Sequence, residues 1–384
     1  MIQWKNMIIS ILLVAVYISF IFTTVAESQN VNFDERGIPV VDYGYVSPKG
    51  ASSPNKVDNW IYLGVQMNPL TVASQGNDYY KQYIYGGNNL SRDKFLNCSD
   101  WLVENAVKKE GYLVWESNFS WPTYNNTAPF ISGMTQGLAI ELLTNAYNYT
   151  KNEKYINYAK EGLNAFSIDI NEGGVTYKDA NGWWYEEYAQ PNMNIQPRVL
   201  NGHIFALLGI YKYYEITGDE QAKYIFDMGT TDLKAYLADF DNKQLQWTNY
   251  DLVGNRATSG YHNIHIDQLG KMYNITGSSI FDLYRNKWAN YSQLQTKQNE
   301  VGQLELIRPK IMGELSKSLL ENNKNKVKPL EQGLTKIESD IKKKNDELSF
   351  IRGNISKLNE SITQLSLNPE EEDINNKGWW QFWK

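Results

Sequence analysis

Three stretches of this chain repeat one helix-and-turn pattern, and that repeat restricts the fold more than any other feature. Ala139-Ile140-Glu141-Leu142-Leu143-Thr144-Asn145-Ala146-Tyr147, Phe205-Ala206-Leu207-Leu208-Gly209-Ile210-Tyr211 and Ile266-Asp267-Gln268-Leu269-Gly270-Lys271-Met272-Tyr273 each space apolar residues by three and four. That is the period of one buried helix face. Each run closes in a short turn: Tyr149-Thr150-Lys151-Asn152, Ile216-Thr217-Gly218-Asp219 and Ile275-Thr276-Gly277-Ser278. A second helical run follows each turn, and the turn threonines lie 67 and 59 residues apart. A helix-turn-helix unit recurring on that scale predicts an α/α toroid, an incomplete barrel, in preference to an ordinary helical bundle.

The expected fold class is therefore mainly α, with a small N-terminal β region before the toroid and a coiled-coil helix after it. Lys5 precedes an apolar run from Met7 to Ala26 that carries no charge. It is long enough to span a bilayer, and Thr24-Val25-Ala26 supplies small residues for cleavage. Residues 1–27 are expected to be a signal peptide or, on length, a membrane anchor. Residues 28–94 read as β-rich and loop, with Gly, Pro and Ser around runs such as Ile38-Pro39-Val40-Val41-Asp42-Tyr43. Residues 95–292 read as the toroid.

Residues 293–365 change character. Leu334, Ile341, Leu348, Ile355 and Ile362 hold one heptad position, and Ile337, Lys344, Ile351, Leu358 and Leu365 the other. Only Lys344 is polar, so residues 330–365 predict a coiled coil and, through it, a homo-oligomer. Asn354 and Asn359 would flank the seam. Pro309 and Pro329 are expected to break the helix upstream. Residues 366–384 form an acidic and Trp-rich tail whose tryptophans suit a bilayer interface.

Composition narrows the function. The formal charge of −6 argues against a nucleic-acid partner. A single cysteine, Cys98, rules out an intrachain disulfide. Asn-x-Ser/Thr sequons begin at Asn89, Asn97, Asn118, Asn125, Asn148, Asn274, Asn290, Asn354 and Asn359. Behind an export segment they suit an extracytoplasmic protein, membrane-anchored or secreted. With 27 Tyr and 12 Trp, the chain has flat rings enough to line a carbohydrate cleft as well as a core. No Gly-x-Gly-x-x-Gly follows a strand, and there is no Walker loop, no His-Glu-x-x-His and no cysteine pair. A dinucleotide cofactor and a catalytic metal are therefore not expected.

What remains is carboxylate, phenol and imidazole on an aromatic background. Trp183-Trp184-Tyr185-Glu186-Glu187-Tyr188 sets two carboxylates among rings. Adjacent side chains in extended backbone point apart, so one of the pair is expected to enter a site. A carboxylate against aromatic surface gains proton affinity and becomes a useful base. Tyr250 follows Trp247-Thr248-Asn249, and Tyr261 precedes His262 and His265 directly before the third repeat helix. Loops entering helices on one face of a toroid line its central cleft.

Pro129-Phe130-Ile131-Ser132-Gly133-Met134-Thr135-Gln136-Gly137-Leu138-Ala139-Ile140 resembles a signature of D-glucuronyl C-5 epimerases. Trp184 to Tyr188, Val199-Leu200-Asn201-Gly202 and Tyr261-His262-x-x-His265-Ile266-x-Gln268-Leu269 match further segments in order, and Asn68 to Ala73 resembles an upstream one. The similarity covers roughly residues 60 to 292. It implies inversion of carbon 5 of glucuronate to iduronate within a polysaccharide or glycan, with no cofactor. It also implies catalytic residues drawn from Glu187, Tyr188, Tyr250 and Tyr261. Gln136, Tyr185, Asn201, His262, His265 and Arg256 are the expected substrate-binding residues. The family's arginine before the Tyr-His motif is displaced here, with Thr258 at its place and Arg256 two residues earlier, and Ala189 replaces a proline. Such a reaction needs acid/base groups on both faces of the ring. Glu187 and Tyr261 are the expected pair, with the hydroxyls of Tyr188 and Tyr250 on the substrate carboxylate. To act as a base, a tyrosine needs a cationic neighbour, for which His262, His265 and Arg256 are available. A uronate lyase on the same fold and a sugar-binding surface protein without activity are the alternatives.

Overall fold

The computed structural model describes residues 30–46, 61–192 and 196–367. The expectations for residues 1–27, and for the tail beyond Leu367, lie outside the described residues. Among the described residues no helix is long and apolar enough to cross a membrane. The chain divides into two compact units. One runs to Asn242 and adds Thr248–Gln268; the other joins Lys243–Trp247 to the residues from Leu269 onward.

The first unit begins with short antiparallel strands. β1 (Asn30–Phe33), β2 (Pro39–Asp42), β3 (Tyr45–Val46), β4 (Ile61–Tyr62) and β5 (Val65–Gln66) form a sheet in the order β1-β2-β5 and a β3–β4 ribbon. Val41, Tyr43 and Val46 bury themselves against Phe119 and Phe130, with Trp121 and Tyr188 packed alongside. Three helical hairpins follow. They are α1 (Pro69–Gly86) with α2 (Asn89–Glu104), α3 (Gly133–Thr150) with α4 (Glu153–Asn164), and α5 (Leu200–Thr217) with α6 (Glu220–Tyr236). The first helix of each hairpin packs on the first helix of the next, so α1, α3 and α5 form an inner row. This is the α/α toroid arrangement, and the class expected from the repeat holds.

The repeated turns have one mechanism. Thr150, Thr217 and Thr276 each donate a hydroxyl to the carbonyl four residues back, on Ala146, Tyr213 and Met272, at 2.7 Å. The next residue, Lys151, Gly218 or Gly277, takes φ of 59°, 67° or 68°. The same hydroxyls accept the N–H of Asn152, Asp219 and Ser278 at 3.2 Å. Asn152 and Asp219 then cap the following helix with their side chains. Each turn so satisfies a C-terminal carbonyl and starts an N-terminus within three residues. The inner row is close-packed where α3 crosses α5. A β-carbon on Gly137 would lie 2.5 Å from the Cα of Ala206, and one on Gly209 would lie 2.0 Å from the Gly137 carbonyl oxygen.

Two boundaries are corrected. The region read as β-rich and loop, 28–94, already holds all of α1 and the start of α2. Asn68 caps the backbone of Leu70 and Pro69 occupies the first turn, so the helical character of Asn68 to Ala73 in the sequence is the start of a full helix inside that region. The boundary at 292 falls inside α8 (Ser279–Leu320), which is continuous.

The second unit is dominated by α8 and α9 (Lys324–Leu367), packed along each other as a hairpin. Lys344 pairs with Glu300, Lys297 with Glu347 at 2.9 Å, and Arg308 with Glu338 at 3.2 Å, so rising numbers on α8 meet falling numbers on α9. The expected heptad seam is real: Leu348, Ile351, Ile355 and Ile362 are buried. Within the chain this seam packs on α8. Pro309 and Pro329 lie inside α8 and α9 and do not end them.

Candidate active site

Strands β6 (Thr176–Lys178) and β7 (Trp183–Tyr185) pair in antiparallel register and carry the chain into Glu186 and Glu187. The segment is clamped on both sides. Glu186 N–H donates to the Val175 carbonyl at 2.9 Å, its own carbonyl accepts Gly133 N–H at 2.7 Å, and Ala189 N–H donates to Ile131 at 3.0 Å. The N-terminus of α3 is thereby held against the Glu-Glu pair. As extended backbone requires, the two carboxylates diverge. Glu186 is fully buried and accepts the backbone N–H of Arg198 at 3.1 and 3.2 Å. Glu187 is 6% exposed and faces tyrosines.

Glu187 sits on the first turn of α5. A β-carbon at Gly202 would come 2.3 Å from its Oε2, so the glycine of Val199-Leu200-Asn201-Gly202 is the space that the carboxylate fills. The Tyr250 hydroxyl donates toward Glu187 Oε1 at 3.5 Å. Glu187 Oε2 is buried without a hydrogen-bond partner. The loop bearing Tyr250 is tied to the start of α5: Leu200 N–H donates to the Tyr250 carbonyl at 3.1 Å, and Leu252 N–H to Pro197 at 2.9 Å. Tyr261 lies in the first turn of α7 (Ser259–Thr276), its ring 4.6 Å from that of Tyr250. Tyr188 completes the group, stacked near Phe130. The four expected catalytic side chains therefore meet where α5 and α7 begin. Tyr188, Tyr250 and Tyr261 are half-buried around the more deeply buried Glu187.

The sequence reading missed a neighbouring group. The Tyr124 ring lies 4.7 Å from that of Tyr188, and its hydroxyl donates to Asp251. Asp251 is buried and also accepts the backbone N–H and side-chain amide of Asn255 at 2.9 and 2.6 Å. Tyr124 belongs to a one-turn segment, Pro122–Tyr124, with no helical or strand period. The one available signal was the aspartate directly after Tyr250.

Electrostatics separate the roles. Burial pushes Glu187 up to about 7, against the hydroxyls of Tyr188 and Tyr250 that favour its charged form, and the negative charge of Asp251 adds to the rise. A carboxyl poised there exchanges protons readily at neutral pH. Burial pushes Glu186 to about 8, opposed by the Arg198 N–H. Burial and then the Glu187 charge hold the phenols of Tyr188, Tyr250 and Tyr261 above their ordinary range. These tyrosines are hydrogen-bond donors and acids in the resting site.

Several expected binding residues do other work. Gln136 is fully buried; its amide donates to the Leu113 and Gly162 carbonyls at 3.1 and 3.2 Å, and its carbonyl accepts Trp115 N–H at 2.9 Å. It ties the core together, with both amide hydrogens used inside the protein and the side chain out of reach of solvent. Tyr185 is also fully buried, its hydroxyl on the Ile225 carbonyl. His262 and His265 are buried and share the Thr248 hydroxyl through Nδ1, at 2.9 and 3.1 Å. Burial holds His265 below its ordinary range, so it is neutral and not the cationic neighbour expected for a tyrosine base. Asn201 is buried beside Glu187's helix turn, its backbone carbonyl on Gln268 and its Oδ1 unpartnered. Arg256 is exposed on the loop that pairs residue 256 with Asn249. Among the described residues no group of three His, Cys, Asp or Glu is placed to hold a metal ion.

Comparison with known proteins adds an independent line. Residues 109–290 match the family described as D-glucuronyl C5-epimerase C-terminus. An uncharacterized protein of Methanocaldococcus jannaschii is 30% identical over 280 residues, 68% of this chain and 83% of that one. The D-glucuronyl C5-epimerase of Caenorhabditis elegans is 26% identical over 257 residues, 62% of this chain and 41% of that protein. This chain thus spans less than half the length of the nematode relative. Among solved structures, a GH76 alpha-mannanase of Bacteroides thetaiotaomicron is similar with a TM-score of 0.44 at 15% identity, covering 68% of this chain and 63% of that one.

Proposed function

Because the chain belongs to the D-glucuronyl C5-epimerase C-terminus family, we propose that it is a sugar epimerase acting at carbon 5 of glucuronate within a polysaccharide or glycan. One observation carries the reading: a buried carboxylate raised to about 7 faces three phenols where two helices begin. Helix N-termini favour an anion. A uronate carboxylate is such an anion, and its presence makes the carbon 5 hydrogen acidic.

Glu187 takes that proton, and negative charge spreads onto the substrate carboxylate. The hydroxyls of Tyr188 and Tyr250 donate to the growing charge, which stabilises it in a site screened from water. Tyr261 returns a proton to carbon 5 from the opposite face, giving iduronate. Its phenolate then regains a proton and Glu187 loses one to solvent, which restores the site. No other reactant is consumed. The reverse reaction begins on the tyrosinate, a strong base because its phenol is held high. Action outside the cytoplasm is part of the proposal. It rests on the apolar run from Met7 to Ala26 and on sequon asparagines that are all exposed or half-buried.

The test is incubation with a panel of glucuronate polymers in deuterated water, read by NMR at carbon 5. Deuterium at that position together with iduronate is the expected result. Unsaturated uronate, seen by its near-ultraviolet absorption, would assign a lyase instead. Absence of exchange on every polymer of the panel would overturn both.

A further inference from the structure

The hairpin of the second unit has an apolar face that its own packing leaves uncovered. Helix α8 turns Leu294, Val301 and Ser318 inward, all buried. A second stripe runs along its outer side. Leu306 and Leu320 stand two heptads apart, and Met312 and Leu319 one heptad apart on the adjoining position, so all four share a face. They are 65%, 89%, 46% and 55% exposed. Gly313, on the same face, has open space where a β-carbon would be. The stripe is about 21 Å long at the helical rise.

The charges around the stripe are one-sided. Between positions 310 and 328, Lys310, Lys317, Lys324, Lys326 and Lys328 meet only Glu314 and Glu321, a local charge of +3 in a chain of −6. All five lysines are exposed, and among the described residues none forms an ion pair. Along α8 to its C-cap, Lys310 and Lys317 alternate with Glu314 and Glu321, and the excess is carried by Lys324, Lys326 and Lys328 just past the turn. An apolar stripe that ends in such a lysine-rich turn suits a helix end lying in a lipid headgroup layer. Two copies meeting through this face would bring like charges together, and a soluble polyanion would leave the leucines in water. An anionic bilayer satisfies both halves of the surface.

We propose that this end of the α8–α9 hairpin docks on an anionic lipid surface. Leu319, Leu320 and Met312 enter the acyl boundary, and the lysines sit at the level of the phosphates. This contact is separate from any attachment through residues 7–26.

The experiment places an environment-sensitive fluorophore on the full chain at Ser316→Cys, an exposed position within the stripe. Cys98 is buried and stays unlabelled. Phe350→Cys, exposed on α9, is the control. A blue shift at 316 on phosphatidylglycerol-containing vesicles, absent on phosphatidylcholine vesicles and absent at 350, is expected. Lys317→Gln with Lys324→Gln and Lys326→Gln should weaken the response roughly 10²-fold, and Leu319→Ser with Leu320→Ser should abolish it. All five substituted positions are exposed, and circular dichroism checks that the helices persist. No shift on anionic vesicles overturns the proposal. So does a shift that grows with protein concentration without lipid, which assigns a second copy. An equal shift with soluble heparosan assigns a polyanion surface instead.

Discussion

The carboxylate of Glu187 occupies the space where a side chain at position 202 would begin: a β-carbon on Gly202 would stand 2.3 Å from Oε2. Gly202 lies in the first turn of α5, where alanine would be the better helix former by about 1 kcal/mol. Gly202→Ala should therefore leave the helix intact and displace the carboxylate. We expect carbon 5 exchange to fall by ~10²-fold or more, with the circular dichroism unchanged. Near wild-type exchange would show that Glu187 works from another rotamer.

Glu187→Gln and Tyr261→Phe should each lower turnover by ~10²-fold or more. Glu186→Gln is the informative comparison. Glu186 turns away from the phenols and accepts the Arg198 N–H, so its loss should perturb stability and leave much of the turnover. Single-turnover exchange on the three variants separates these outcomes. If the Glu186 variant is the inactive one, the base has been assigned to the wrong carboxylate.

Asp251→Asn removes a negative charge that, after burial, helps to raise Glu187. With that charge gone, the base should lose its proton at lower pH. The acid limb of the kcat/KM profile should shift down by about half to one pH unit. Tyr124→Phe keeps the charge and serves as the control for local packing. An acid limb that does not move in Asp251→Asn would mean that the aspartate charge is screened from Glu187.

Stability should fall as pH rises through neutrality. Glu186 and Glu187, raised by burial to about 8 and about 7, bind protons more tightly folded than unfolded. Their contribution is complete below the ordinary carboxyl value near 4.5 and is lost as pH passes 7 and then 8. Each adds a slope of roughly 1.4 kcal/mol per pH unit between those limits. Thermal midpoints measured from pH 5 to 8.5 should decline, and Glu186→Gln should flatten the decline. A midpoint that climbs over this range would show that one or both carboxyls ionise freely in the fold.

Local rules made much of this protein legible before any coordinates. The Thr-x-Asn/Asp/Ser turns act through bonds spanning four residues or fewer, so their recurrence in the sequence is recurrence in space. The heptad of α9 announced a seam because its period is a property of one helix. The divergence of Glu186 from Glu187 followed from extended backbone alone, and residues 183–188 marked where to look.

Other facts depend on which distant segments meet, and no period encodes that. Tyr124 reaches Asp251 across 127 residues, and Gln136 spends its amide on Leu113, Trp115 and Gly162, not on a cleft. Motif position marked Gln136, Tyr185 and the histidines, but only the tertiary structure reveals that all four are buried and bonded within the protein, the histidines through Nδ1 to Thr248. The partner of the α9 seam was undetermined for the same reason: an apolar stripe specifies that something must cover it, and the three-residue turn after Leu320 decides that α8 of the same chain does. Sequence determined the chemistry at hand and the units that carry it. Tertiary structure decided which carboxylate is poised, because proton affinity follows from burial and neighbouring charge, and both arise only when the chain closes on itself.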